Sequence, residues 1–407
     1  MLLIIILTLN LLLSFTKVPM TAQVEAATVK NSGEYRAFWL SYYDFNSYRK
    51  AASGGSDASF RLWFTKVVKN GKKLGMKTVI VQVRPFGDAL YPSRYFPWSE
   101  VISGKQGKNP GYDPLKIMTE VAHENGLRIE AWVNPYRVTS SSVNYRLLSP
   151  NNRARIWHGN RKTARNVLAY RGQLYYNPSS PAVRKLIVTG VKEIVNNYDV
   201  DGIHMDDYFY PSFSPGNVRT AFDAKEYKKS AAGKRGQSIS RYRRNQVNIL
   251  VRQIHRAVKS VDRRLTFGIS PAGDPDELSS NYAHYVDYRT WLASSSYIDY
   301  ICPQIYWGFQ HSYCQFDKIT RKWKRAARSS SVKLYLGIAV YKSGHYTGSN
   351  GRERREWKKD TSVLQKQIAY GRKKKVKGFA FFDYSDLVSS ISRKAVLKMA
   401  KEIKKKK

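Results

Sequence analysis

Two adjacent carboxylates, Asp206 and Asp207, end the run Asp201-Gly202-Ile203-His204-Met205-Asp206-Asp207-Tyr208. Acids placed side by side repel each other and resist burial, so such a pair is costly unless it is used or neutralised. Hydrolysis of a glycosidic bond needs two carboxyl groups. One donates a proton to the leaving oxygen, and the other attacks carbon or activates water. Asp206 is the candidate nucleophile or base. Asp207, Glu130 and Asp383 compete as proton donor, and the residue pattern leaves that choice open. The competing structural roles are a loop cap or an ion pair with Arg84 for Asp206, and a deep carboxylate paired with Arg84 for Glu130.

Groups of this kind must be delivered to one place. Eight short apolar or aromatic runs rich in β-branched residues read as buried strands: Tyr35–Tyr42, Thr78–Arg84, Arg128–Asn134, Asp201–Tyr208, Leu265–Pro271, Tyr300–Gly308, Lys333–Val340 and Lys377–Asp383. Helical patterns separate them, the clearest being Val183, Leu186, Ile187, Val191, Ile194 and Val195, whose spacing of three and four buries one face. Strand–helix alternation means a parallel sheet, and eight repeats point to an α/β fold closed as a (β/α)8 TIM barrel. Helix-to-strand connections are short (Asn125-Gly126-Leu127), whereas strand-to-helix connections are long, as at 85–113, 135–180 and 209–240. In such barrels the long βα loops build the active site at the C-terminal face.

Alternation along a strand assigns inward positions. It groups Ile80, Gln82 and Arg84; Glu130, Trp132 and Asn134; Gly202, His204 and Asp206; Cys302, Gln304 and Tyr306; and Phe379, Phe381 and Asp383. Asp207 would point sideways. His204, one inward step below Asp206, is either a satisfied core histidine or a group that orients Asp206 by hydrogen bonding. Aromatics crowd the loops, including Tyr136, Tyr208, Tyr306 and Trp307. Their rings suit the C–H faces of sugars, with Asn134, Asn177, Gln304 and Tyr306 as partners for hydroxyls.

Composition is that of a folded chain: 407 residues, 42% hydrophobic and 13% aromatic. The net charge is +40, a field that attracts polyanions. Anionic wall polymers or an anionic membrane surface are the expected partners, and nucleic acid is not, because residues 1–27 read as an export signal. The apolar run Leu2–Leu13 is too short to span a membrane, and Val24-Glu25-Ala26 fits a signal-peptidase site. Export by this segment, cleaved or retained as an anchor, implies a secreted or envelope protein. Residues 28–33 form a short linker, and 34–407 a single barrel domain. The basic stretch 225–244 lies in the loop after the fourth strand, as a holder of anionic polymer or a mobile solvated loop. Cys302 and Cys314 are expected as free thiols, and no Cys/His cluster has metal-ligand spacing. No cofactor is expected.

Several stretches resemble the glycosyl-hydrolase-like family 10 proteins of the bacterial envelope: Arg36–Leu40, Gln82–Tyr91, Ala131–Arg137, Asp201–Tyr208, Gly268–Gly273 and Tyr300–Gly308. The likeness runs from about Glu34 to Leu387. It implies a (β/α)8 barrel, an envelope location and activity on peptidoglycan glycan strands. Arg84 and Asp88, both in the second stretch, are also substrate-binding candidates. The family's His-Phe-Asp-Asp-Tyr motif is met here with Met205 in place of Phe, an apolar-for-apolar change. Family-10 xylanases place glutamates at the ends of the fourth and seventh strands. Here Asp206 stands at the fourth and no Glu lies near Ala339-Val340-Tyr341, so that assignment does not transfer. The functions expected are therefore glycoside hydrolysis of wall glycan or a related extracellular polysaccharide or, alternatively, a non-catalytic barrel that binds wall polysaccharide or polyanions.

Overall fold

The computed structural model describes residues 33–405 apart from 52–54, 281–283 and 347. The proposed leader 1–27 and the last two lysines of the tail lie outside the described residues. Ten strands occur in chain order: β1 Tyr35–Leu40, β2 Thr78–Arg84, β3 Arg128–Val133, β4 Val167–Tyr170, β5 Gln173–Tyr176, β6 Gly202–Met205, β7 Thr266–Ile269, β8 Tyr300–Ile301, β9 Lys333–Ala339 and β10 Gly378–Phe382. Eight of them close a parallel barrel in the order β1-β2-β3-β6-β7-β8-β9-β10, with β10 paired back to β1. Each falls within one of the eight runs. β8 is shortened to two residues because Pro303 has no N–H to give the ladder, although Gln304 still bridges to Gly337.

Several of the helices form where caps and apolar spacing coincide. In Pro181–Asn197, the Ser180 side chain accepts from the Val183 N–H, Pro181 occupies the first turn, and Val183, Leu186, Ile187, Val191 and Ile194 are buried. A large outer core fills the space between strands and helices. A smaller cluster fills the barrel itself: Tyr35, Ala37 and Trp39 from β1, Ile80, Trp132, Tyr300, Cys302, Tyr335 and Ala380, with Phe382 packed against it.

That inner cluster corrects two expectations. In β10 the inward residues are Ala380 and Phe382, while Phe379 and Phe381 pack in the outer core. Both faces of this strand are apolar, so alternation alone does not say which one turns inward. In β2 the register slips between Gln82 and Arg84, and the bulge turns Arg84 out of the barrel. Its guanidinium stacks on Phe96, 3.7 Å from the ring centroid, beneath Gly190 of the helix Pro181–Asn197. A Cβ at Gly190 would lie 2.8 Å from the Arg84 Nη1 and 2.5 Å from Phe96, so only glycine leaves room for the stack.

The long loops are themselves built. β4 and β5 form a hairpin after β3, turning on Arg171 (φ 46°) and Gly172 (φ 76°); positive φ at both positions is the tight hairpin turn that matches strand twist. The basic stretch 225–244 is not an irregular loop. It comprises the short helices Ala224–Lys229 and Ala231–Lys234 and the start of Ile239–Val261. Arg243, counted in that basic stretch, is fully buried against Asp223. Cys302 and Cys314 are free thiols.

Candidate active site

β6 delivers Asp206 to the barrel mouth, where it is 4% exposed. There it lines a cavity of about 320 Å³, within the size range of small-molecule sites. Trp39, Trp132, Tyr341 and Phe382 give this cavity aromatic walls, and Asp206, Asp207, Tyr208, Ser270, Gln304 and Tyr306 give it polar groups. A larger hollow of about 550 Å³ lies at the opposite end of the barrel around Arg128, Lys259 and Asp299. Most of its charges are paired, among them Lys259 to Asp299 at 2.8 Å and Arg264 to Asp262 at 2.7 Å, and it has no aromatic wall. That face of such barrels serves stability, not chemistry.

Asp206 is held by donors only. The Asn134 amide lies 2.8 and 2.7 Å from its two oxygens, and the Tyr208 backbone N–H donates to Oδ1 at 3.1 Å. The orientation of Asn134 is set from further back. The backbone N–H of Tyr42 can only donate, and it donates to Gln82 Oε1 at 3.0 Å. Gln82 must therefore present its Nε2 to Asn134 Oδ1, at 2.6 Å, which leaves the Asn134 NH2 for Asp206. Burial, and Asp207 beside it, push the Asp206 carboxyl up to about 7; the Tyr208 N–H, the Asn134 amide and the Arg137 charge pull the other way. Asp207 is less buried, with Gln304 Nε2 at 3.3 Å from its Oδ1; the same amide donates to the Ser270 carbonyl at 2.9 Å.

The donors favour the ionised form of Asp206, so removing them raises its pKa. Asn134→Leu is expected to move the acid limb of the rate–pH profile upward by roughly one pH unit, and Gln82→Leu to move it the same way by less. An unchanged limb in initial rates measured from pH 5 to 9 would show that the amides do not control Asp206.

Beneath the cavity lies a second, closed network. The Trp39 indole N–H donates to His204 Nε2 at 3.1 Å, and His204 Nδ1 meets the Tyr300 hydroxyl at 2.8 Å. That hydroxyl donates to Glu130. An indole N–H only donates, so His204 carries its proton on Nδ1 and is neutral, in line with burial pushing its pKa down to about 3. Both ring nitrogens are thus occupied, and the suggested bond from His204 to Asp206 is not made. Glu130 lies in this network, 1% exposed, with Tyr300 and not Arg84 as its partner; burial raises its carboxyl to about 6.

Of the remaining candidates, Trp132, Tyr208, Gln304 and Tyr306 line the cavity with the two aspartates, and Asn134 stands directly behind Asp206. The others are not among the residues that line it. Arg84 is under the helix layer. Asp88 is buried near Gln106, its Nε2 donating to Oδ2 at 3.3 Å, and burial raises its carboxyl to about 7. The Tyr136 ring packs edge-on to Phe209 in the outer core, and the Asn177 amide donates to the Arg165 carbonyl at 2.9 Å. Trp307 packs near His311. Asp383 caps the short helix Tyr384–Val388 through the Asp386 N–H and binds the Ser385 hydroxyl at 2.7 Å. Trp39, Ser270, Tyr341 and Phe382 line the site but were not among the candidates. Trp39 sits at the C-terminal end of β1, where inward alternation from Tyr35 and Ala37 identifies it.

Two relatives illustrate the likeness. Glycosyl hydrolase YngK of Bacillus subtilis (strain 168) is 36% identical over 376 residues, covering 89% of this chain and 70% of that protein. Glycosyl hydrolase DigH of Escherichia coli (strain K12) is 36% identical over 293 residues, covering 67% of this chain and 64% of that protein. Among solved structures, the PgaB (BpsB) glycoside hydrolase domain from Bordetella bronchiseptica matches with a TM-score of 0.55 at 13% identity, over 92% of this chain and 100% of that one. The catalytic domain of a Paenibacillus polymyxa beta-amylase matches at 0.58 and 12%, over 91% and 99%. At such identities the likeness is one of fold. The family model described as glycosyl hydrolase-like 10 matches residues 34–354. With that match, the paired aspartates at the end of β6 and the aromatic cavity around them, the chain belongs to the glycosyl hydrolase-like 10 family and is a TIM-barrel glycoside hydrolase.

Proposed function

We propose that this enzyme acts outside the cytoplasm and hydrolyses the glycan strands of bacterial peptidoglycan, with Asp206 as nucleophile or base and Asp207 as the acid that faces the leaving group. The observation that carries this reading is a buried carboxylate with a pKa raised to about 7, supplied only with donors, beside a second acid in an aromatic cavity. Aromatic walls suit sugar rings, and a carboxyl poised near neutrality is suited to proton traffic at physiological pH. The +40 charge favours residence near anionic wall polymers or an anionic membrane surface, and the apolar run at Leu2–Leu13 supports export.

The test is release of new reducing ends from purified, peptide-stripped glycan strands, with an uncharged exopolysaccharide in parallel. Release from the wall strands supports the proposal. Binding without release would favour a non-catalytic wall-binding barrel, and release only from the exopolysaccharide would move the substrate. Because Asp206 must be ionised while Asp207 still holds its proton, kcat/KM should be bell-shaped, with its acid limb rising towards about pH 7 and a fall at higher pH as the acid is lost. A profile flat from pH 5 to 9 would remove Asp206 from the base or nucleophile role.

A further inference from the structure

Beside the cavity stands a cation that the catalytic proposal does not use. The Arg137 guanidinium lies 4.5 Å from the centroid of Tyr208, which lines the cavity, and 5.0 Å from that of Phe86. The Tyr42 hydroxyl is within hydrogen-bond reach of it, and the Tyr42 ring in turn packs at a tilt against Tyr43, their centroids 4.1 Å apart. Tyr208 and Tyr43 are 44% and 61% exposed, so this cluster opens on the rim of the site. Arg137 makes no ion pair among the described residues, and its Nε is buried without a hydrogen-bond partner. Stacking on rings fixes a guanidinium in a plane but leaves the N–H edge free, and that edge matches a carboxylate.

We propose that Arg137, framed by Tyr208, Tyr42 and Phe86, is a substrate subsite that binds a carboxylate carried by a sugar at or next to the scissile linkage. The inference rests on the glycan-hydrolase reading and narrows it: the preferred strand is acidic, and its acid is read at the rim by one arginine. An arginine here also attracts the substrate into a site whose own aspartates would repel it.

The test separates recognition from turnover by measuring binding in an Asp206→Asn background, which leaves the polymer intact. The probes are peptide-stripped wall glycan, the same strands with carboxyls reduced to alcohols, and a neutral chitin oligosaccharide. With Arg137 present, the native strands should bind roughly 10-fold or more tighter than the reduced strands, the size of one charge-assisted contact. Arg137→Met should lose that preference while binding reduced strands and chitin unchanged, and Arg137→Lys should recover part of it. Equal weakening on all three probes would assign Arg137 to the structure of the rim. Persistence of the preference in Arg137→Met, or no preference at all, would overturn the proposal. These readouts need no cleavage, so absence of reducing-end release would count against the hydrolytic reading alone.

Discussion

Asp206→Asn is expected to lower turnover on glycan strands by about 10²–10⁴-fold or more, the range spanned by a positioned proton-transfer group, while strand binding is retained. The substitution keeps the shape of the side chain and one acceptor for the Asn134 amide, but it removes the charge. Loss of folding is distinguished by the sign of the stability change. The folded pKa of Asp206 is raised to about 7 from an ordinary value of 3.8. Its contribution to stability is therefore fully present below about pH 4 and is lost as pH rises through 7. Above pH 7 the parent protein keeps a buried charge that the variant lacks, so the variant should be at least as stable there. A variant that is inactive but less stable at pH 8, by urea unfolding, would mean that the loss of activity reflects damage to the barrel.

The second large effect lies in the loop after β6. Asp223 and Arg243 have fully buried side chains and pair at 2.8 Å. Arg243 also donates to the Tyr285 hydroxyl at 2.9 Å and the Ala221 carbonyl at 3.1 Å, and it lies 4.3 Å from the Phe213 ring centroid. Asp223 accepts from the Ser179 and Tyr210 hydroxyls at 2.7 and 2.8 Å. Asp223→Ala leaves the guanidinium buried without its counter-charge, at an expected loss of about 3–5 kcal/mol. Adding Arg243→Met to it should recover much of that loss, because the cost is that of an unpaired charge and not of a missing contact. Urea midpoints of the single and double variants measure both. Equal destabilisation in the two would show that the pair matters for packing, not charge. The pair joins the β6 loop to the helix Ile239–Val261, so the single change should also weaken the placement of Asp207 and Tyr208.

The barrel was legible because its signals are local and repeated. Each barrel strand is a short apolar run set among helical patterns, and the lengths of the connections alone pointed to the face that carries the site. Asp206 was legible for the same reason: it is the inward position at the end of a strand, and alternation carries from Gly202 through His204 to it. Arg84 was misplaced because alternation assumes an unbroken ladder, and a bulge at Gln82/Arg84 leaves no mark in residue types. Asp383 was misplaced because Phe379, Ala380, Phe381 and Phe382 are apolar in both phases, so hydrophobicity could not choose between them. Gln82 and Arg137 went unnoticed as site residues because they act through contacts 40 or more positions away in the chain, on Tyr42, Asn134 and Tyr208.

By itself the sequence determined the periodicities: the eight strands that close the barrel, the main helices between them, and an acid pair at the end of one strand. Only the tertiary structure decided what the acids meet. It set the Asn134 amide, oriented by Gln82, against Asp206, held His204 neutral between Trp39 and Tyr300, and left Arg137 on an aromatic rim with an edge to offer. Periodicity is a property of neighbours along the chain, whereas ionisation state depends on neighbours in space, and these are brought together only when the barrel closes.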